Sequence, residues 1–201
     1  NDLEANALGL AALDDGAFAV LCPGTRDPGG NAVVLSAGTG LGLALVVRGE
    51  TGPRVVAGEG GHVDFAPTSE QELGLWRFLA GRFGHVSYER ILSGPGLENL
   101  YDFLVAEGHD DSLGPARTAR SISRCGLAGE STACAATLDL FSSIYGAAAG
   151  NVALTVMATG GVFLGGGIAP RLREKLADGT FLRSFRAKGR FAPILDMIPV
   201  S

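Results

Sequence analysis

The sequence predicts an α/β fold with a mixed sheet flanked by helices. Three observations predict it. Short apolar runs bounded by glycine ("AVVLSAG", "LALVVRG", "GGVFLGGG") read as buried strands. Between them lie stretches whose apolar residues recur at helical spacing. The two kinds alternate along the chain, as they do in a layered sheet. With 201 residues and 46% hydrophobic content, the chain can bury a sizeable core.

Each element has its own local reason. Leu3, Ala7, Leu10 and Leu13 share a helical face, and Asp2 can cap that helix. "AVVLSAG" and "LALVVRG" form two strands joined by a Gly/Thr turn. "TGPRVVAGEGGHVDFAP" reads as loop and short strand. Ser69 and Glu72 make a capping-box pattern ahead of a helix with Leu73, Trp76, Ala80 and Phe83 on one face, stopped by Gly84. "VSYERILSGPG" reads as a short helix opened by Ser87 and ended by Gly94-Pro95-Gly96. Leu97, Leu100, Tyr101, Leu104 and Val105 then mark an amphipathic helix. Residues 112–129 are polar and weakly periodic, so helix and loop both stay open.

Thr132 to Met157 is small and apolar, and long enough to raise a membrane-spanning reading. Asp139, Ser142, Ser143 and Asn151 interrupt it at several kcal/mol in lipid, about, so a buried helix is expected. "APRLREKL" predicts a helix with Pro170 in its first turn. "DMIPVS" predicts a strand just entered.

Composition narrows the function. A net charge of −5 without runs of Lys or Arg argues against nucleic-acid binding and against a membrane-surface role. Three cysteines without Cys-x-x-Cys spacing argue against a disulfide framework and point to a reducing, cytoplasmic setting.

Several groups could carry chemistry. In "GEGGHVDF", Glu59 and His62 flank two glycines. That arrangement suits a polyhydroxylated ligand, but also a plain turn with an exposed acid. Glu89 sits where a positive helix end favours a carboxylate, with or without a ligand. Asp2 beside Asn1 could take a proton from an alcohol while the amide holds a neighbouring hydroxyl, or could simply cap a helix. Thr39 between Gly38 and Gly40 could bind phosphate oxygens through backbone N–H groups, or form an ordinary hairpin. It is neither a Walker A loop nor a dinucleotide fingerprint. Gly165, Gly166 and Gly167 leave a strand edge open to a ring or a phosphate, or serve helix–strand packing.

In order along the chain stand "NDLEA", "GTGLG", "GEGGHVDFAP", "ERILSGPGLENLY" and "GGVFLGGGIAPR", then "KGRF" and "IPV". Together they resemble the bacterial ATP-dependent glucokinases of the hexokinase–actin–Hsp70 superfamily. The resemblance covers nearly the whole chain and is weakest from about Ser112 to Glu130. It implies a ribonuclease H-like (actin-like ATPase) fold and transfer of the terminal phosphoryl group of ATP, with Mg²⁺, to the 6-hydroxyl of glucose.

By the same resemblance Asp2 is the catalytic base, and Asn1, Glu59, His62 and Glu89 bind the sugar. Gly38, Thr39 and Gly40 form a phosphate turn, and Gly165, Gly166 and Gly167 receive the adenosine part. No cysteine cluster follows the Gly61-His62 pair, so no structural zinc is expected. A homodimer is implied. Residues 1–12 match the end of a small domain and 13–201 a large one. The family's first small-domain segment, with its "D-x-G-G-T-N" residues, and its final helix are not matched. Little kinase activity is expected of this chain alone. The competing readings are a non-catalytic sugar-sensing regulator of the same superfamily and a kinase for another hexose.

Overall fold

The computed structural model describes Gly9, residues 18–50 and residues 52–201. The helix expected over Leu3–Leu13, the Asn1–Asp2 pair and the domain boundary near residue 13 lie outside the described residues.

The sheet has strand order β3-β2-β1-β4, with β1 at Ala32–Ala37, β2 at Leu41–Gly49, β3 at Gly52–Gly58 and β4 at Gly161–Gly165. The pairs β1–β2 and β2–β3 are antiparallel, while β1 and β4 run parallel, with Val34 opposite both Ala44 and Phe163. Strand β1 is covered on both faces. Val33, Leu35 and Ala37 enter the main core, and Ala32 and Val34 pack with Ala44, Val46 and Phe163 on the other side. Double burial explains why β1 reads as an unbroken apolar run. Of "DMIPVS", expected as a strand, Asp196 and Met197 instead end a short helix, and only residues 199–201 run extended beside β4. There Val162 N–H donates to Pro199 O (2.8 Å) and Leu164 N–H to Ser201 O (2.7 Å).

The helices are α1 (Glu70–Phe83), α2 (Gly94–Ala106), α3 (Ala119–Ala128), α4 (Thr132–Val156), α5 (Arg173–Leu176), α6 (Thr180–Arg186) and α7 (Ala192–Met197). Helix α4 is the long apolar segment. It lies against β1, where the buried Tyr145 hydroxyl donates to Leu35 O at 3.0 Å. Gly146 and Gly150 let α6 cross it closely, since a Cβ on either would meet the Phe181 or Phe185 carbonyl oxygen at 2.1 or 2.5 Å. Among the described residues, no helix is long and apolar enough to cross a membrane.

The structure corrects several expectations. In α1 the buried face is Glu72, Leu75 and Leu79, while Trp76 is 40% exposed. Ser69 does cap the helix, but the Glu72 carboxylate turns to Thr68 N–H (2.6 Å) and Oγ1 (2.9 Å) rather than to Ser69 N–H. Gly94-Pro95-Gly96 opens α2 rather than ending a helix. Ser93 Oγ accepts from Gly96 N–H (3.0 Å), and Pro95 lies in a first turn that needs no N–H from it. What precedes is only a 3₁₀ turn, Tyr88–Arg90.

In "APRLREKL" only Arg173–Leu176 is helical, so Pro170 lies in the turns before α5. "GPRVVAG", expected as loop with short strand, is a full strand paired along β2. The ambiguous 112–129 stretch contains α3, started by a reciprocal Thr118–Ser121 capping box and stopped by Gly129 in the left-handed region. Leu97, Leu100, Tyr101 and Leu104 are buried on α2 as expected, with Val105 partly buried.

Candidate sugar and nucleotide site

A 3₁₀ turn, Gly60–His62, follows β3 and lies flat on β2. The two glycines are required by this packing: a Cβ on Gly61 would stand 2.0 Å from Leu41 O, and one on Gly60 2.1 Å from Leu43 Cδ2. The neighbour that comes close to their backbone is therefore β2. Downstream, Phe65 N–H donates to Val86 O (2.9 Å) and Tyr88 N–H to Val63 O (3.2 Å). His85 Nε2 lies 2.8 Å from Asp64 Oδ1 beside this pairing. The cross-link carries Glu89 to the Glu59–His62 turn.

Three predicted sugar residues therefore meet. His62 Nε2 stands 3.8 Å from Glu89 Oε1 and 4.0 Å from Glu59 Oε2. Glu59 and His62 are 84% and 58% exposed, so both have polar atoms free for a ligand. Glu89, 32% exposed, is the fixed member: its Oε2 accepts from Leu41 N–H at 3.0 Å. Ser93 Oγ donates to Glu89 O at 2.7 Å, so the N-cap of α2 also holds this residue. Neither Leu41 nor Ser93 was singled out in the sequence. Ser93 carried a visible signal, a serine three residues before Gly96 at a helix start.

The Gly38–Gly40 turn joins β1 to β2 as a hairpin, closed by Gly38 N–H donating to Gly40 O (2.8 Å). Thr39 is exposed at its tip. Gly94 N–H donates to Gly38 O (2.8 Å) and ties the turn to α2. Parallel pairing puts Gly165 opposite Ser36, so Gly165–Gly167 leaves the sheet beside this hairpin. Gly166 has φ +84°, and a Cβ there would lie 2.2 Å from Ala37 O. Gly167 N–H stands 3.9 Å from where a Cβ of Gly38 would be. Both glycine loops thus share the carboxyl ends of β1 and β4, where ligands of open α/β sheets sit. A cleft of about 490 Å³ continues past Thr39 and Glu89.

Around this site burial raises the Tyr88 phenol above its ordinary value, and its hydroxyl accepts from Asn151 Nδ2 at 3.0 Å. The cysteines are free and buried, and burial pushes the Cys134 thiol up to about 11. Asn1 and Asp2 cannot be related to these groups, since both lie outside the described residues.

The family model described as Glucokinase matches residues 1–201. The chain belongs to the glucokinase family. A glucokinase of Chromobacterium violaceum is 44% identical over 202 residues, covering all of this chain and 57% of that protein. A glucokinase crystal structure from an Antarctic psychrotroph superposes with a TM-score of 0.91 at 34% identity, over all of this chain and 62% of that one. A Balamuthia mandrillaris glucokinase, solved in complex with glucose, shares the fold (TM-score 0.85, 23% identity) over all of this chain and 59% of its own. The chain thus spans somewhat under two thirds of the length of these glucokinases. The fold of the family is the actin-like ATPase fold, as the sequence resemblance implied.

Proposed function

We propose that the full-length protein transfers the terminal phosphoryl group of ATP to the 6-hydroxyl of glucose. The observation that carries this reading is one juxtaposition. Glu59, His62 and Glu89 converge beside the β1–β2 hairpin, and the turn of that hairpin, Gly38–Gly40, lies against Glu89 and next to the Gly165–Gly167 loop.

Sugar hydroxyls need several polar partners at once. Glu89 accepts from them with the lone pairs that Leu41 leaves free, and His62 and Glu59 complete the ring of partners. Asn1 supplies a further hydroxyl partner, and Asp2 accepts the proton of the attacking 6-hydroxyl. The glycine loops fit phosphates because their backbone is approachable with few side chains in the way, although Gly38 N–H itself is taken by Gly40 O. Mg²⁺, bound with the nucleotide, would supply charge neutralisation at its phosphates. What the chain's own residues provide is position: the partners proposed for the sugar hydroxyls and for the phosphates stand next to each other. A homodimer belongs to the same reading and rests on the family resemblance, and a cytoplasmic location rests on the cysteine usage; light scattering on the full-length protein tests the dimer.

The test is Glu89→Gln in the full-length protein. The exchange keeps shape and removes charge, so glucose binding should weaken by at least about ten-fold, since a hydrogen bond to a charged group is worth about 1.5–3 kcal/mol. ATP binding should stay within error. Equal losses for both ligands in calorimetry would contradict the sugar assignment. A coupled assay across hexoses then separates glucose from mannose or N-acetylated sugars, and a kinase from a sensor.

A further inference from the structure

An apolar groove of about 330 Å³ runs between β2 and α4 beside the candidate sugar site. Leu41 and Leu43 line it from the sheet, and Val152 and Val156 from the helix. Gly60, Gly61 and Val63 line it too, so the segment carrying Glu59 and His62 borders open space rather than packed core. The groove is bridged at one place. Asn151 Nδ2, on α4, donates to the Tyr88 hydroxyl at 3.0 Å. Among the described residues this is the one hydrogen bond that joins α4 to residues 59–90.

Both ends of the bridge are anchored. Tyr88 is buried, its N–H donates to Val63 O (3.2 Å), and its carbonyl accepts from Leu92 N–H (2.7 Å). Its ring meets Phe65 edge-on, with centroids 5.7 Å apart. Tyr88 therefore couples Glu89, its neighbour in the chain, to the 63–65 stretch that leads from His62. Asn151 lies between two residues of α4 that are tied to the sheet side. The Tyr145 hydroxyl donates to Leu35 O, and Val156 O accepts from Asn31 Nδ2 at 2.8 Å. One route thus runs from β1 through α4 and across the groove to the sugar partners. The other, Leu41 N–H, holds the Glu89 carboxylate but not the stretch after His62.

We propose that Tyr88 is a positioning residue for the sugar, and that its bond to Asn151 sets where Glu59, His62 and Glu89 stand relative to the sheet. The inference rests on the reading above, that these three residues bind glucose. Tyr88 acts through them, since none of the three lines the groove onto which its hydroxyl opens. Breaking the bridge leaves little unsatisfied, because Asn151 is exposed and water can replace the phenol. The loss should therefore appear in the placement of the sugar partners rather than in the fold. Partners that hold the sugar equally before and during transfer affect KM and leave kcat alone.

Steady-state kinetics on the full-length protein tests this with Tyr88→Phe, Asn151→Ala and the double variant. Tyr88→Phe keeps the ring on Phe65, and Asn151→Ala favours the helix, so both should melt near the parent. Each single variant should raise KM for glucose by about two- to ten-fold, the worth of one neutral hydrogen bond. The values of kcat and of KM for ATP should stay within about two-fold of the parent's. The two side chains share one bond, so the double variant should match either single variant. An unchanged glucose KM in either single variant overturns the proposal. So does a kcat that falls with it or an ATP KM that rises equally, because general loosening would then be the cause. Additive effects in the double variant overturn it as well. A parent that binds no glucose would defeat the reading above and this proposal with it, whereas an active parent with unaffected variants defeats this proposal alone.

Discussion

Gly40 and Glu89 are fitted to each other: a Cβ on Gly40 would lie 2.5 Å from Glu89 Oε2, the oxygen that accepts from Leu41 N–H. The Gly38–Gly40 hairpin and the Glu89 carboxylate are therefore one packed unit. Gly40→Ala must push Glu89 off the Leu41 amide, and a displacement of about 1 Å can cost about 10²-fold in rate. We expect kcat/KM for glucose to fall on that scale in the full-length protein, with a melting temperature near the parent's. A glucose Kd unchanged by the substitution would show that the carboxylate position is immaterial.

Gly146→Ala sets two effects against each other. Alanine gains about 1 kcal/mol in helix propensity over glycine. Its methyl would stand 2.1 Å from Phe181 O, a backbone atom that can move only with α6. Overpacking of that kind costs about 1–3 kcal/mol, so the packing term wins. The variant should be less stable in urea, by up to about 2 kcal/mol. A more stable variant would mean that α4 and α6 do not cross this closely.

Alkaline pH should destabilise the fold through buried phenols. Burial raises Tyr145, Tyr88 and Tyr101 above the ordinary value of 10.0. With folded values raised, the folded state keeps protons that the unfolded state releases. The contribution is complete below pH 10 and is lost as pH climbs beyond it. Urea midpoints should hold from pH 8 to 9.5 and decline above 10. Tyr145→Phe should lower stability by about 1 kcal/mol at neutral pH, through the lost bond to Leu35 O, and should make the alkaline decline shallower. An equally steep decline in that variant would assign the effect to other groups.

Asp2→Ala in the full-length protein should lower kcat by about 10²- to 10⁴-fold, the usual worth of a positioned general base. Glucose should still bind, because Glu59, His62 and Glu89 remain. Turnover close to normal would remove Asp2 from the mechanism.

Much of the site was legible because its residues lie in short, unbroken motifs. Glu59 and His62 are three residues apart, and the Gly38–Gly40 turn sits between two clean apolar runs, so the hairpin proposed to bind phosphate could be read directly. What joins Glu89 to them was not legible. That contact depends on the pairing of residues 63–65 with 86–88 and on a backbone N–H at Leu41, which no side-chain pattern announces. Helix α1 misleads for a different reason. Leu73, Trp76, Ala80 and Phe83 make the more apolar stripe, yet the buried one includes Glu72, whose carboxylate is satisfied by Thr68. In Ser93-Gly94-Pro95-Gly96 the same residue types serve a stop or a start. Ser93 decides for the start, because its hydroxyl caps α2.

The parallel pairing of β1 with β4 has a temporal consequence. The hairpin β1–β2–β3 closes through neighbours in sequence, whereas β4 can dock on β1 only after α1 to α4 have been laid down between them. The bond from Asn31 Nδ2 to Val156 O, near that junction, spans 125 residues. Contacts that close such long loops form late and slowly. The two glycine loops should therefore become protected from hydrogen exchange at different times during refolding. The Gly38–Gly40 turn would come first, and Gly165–Gly167 only when the chain is nearly complete.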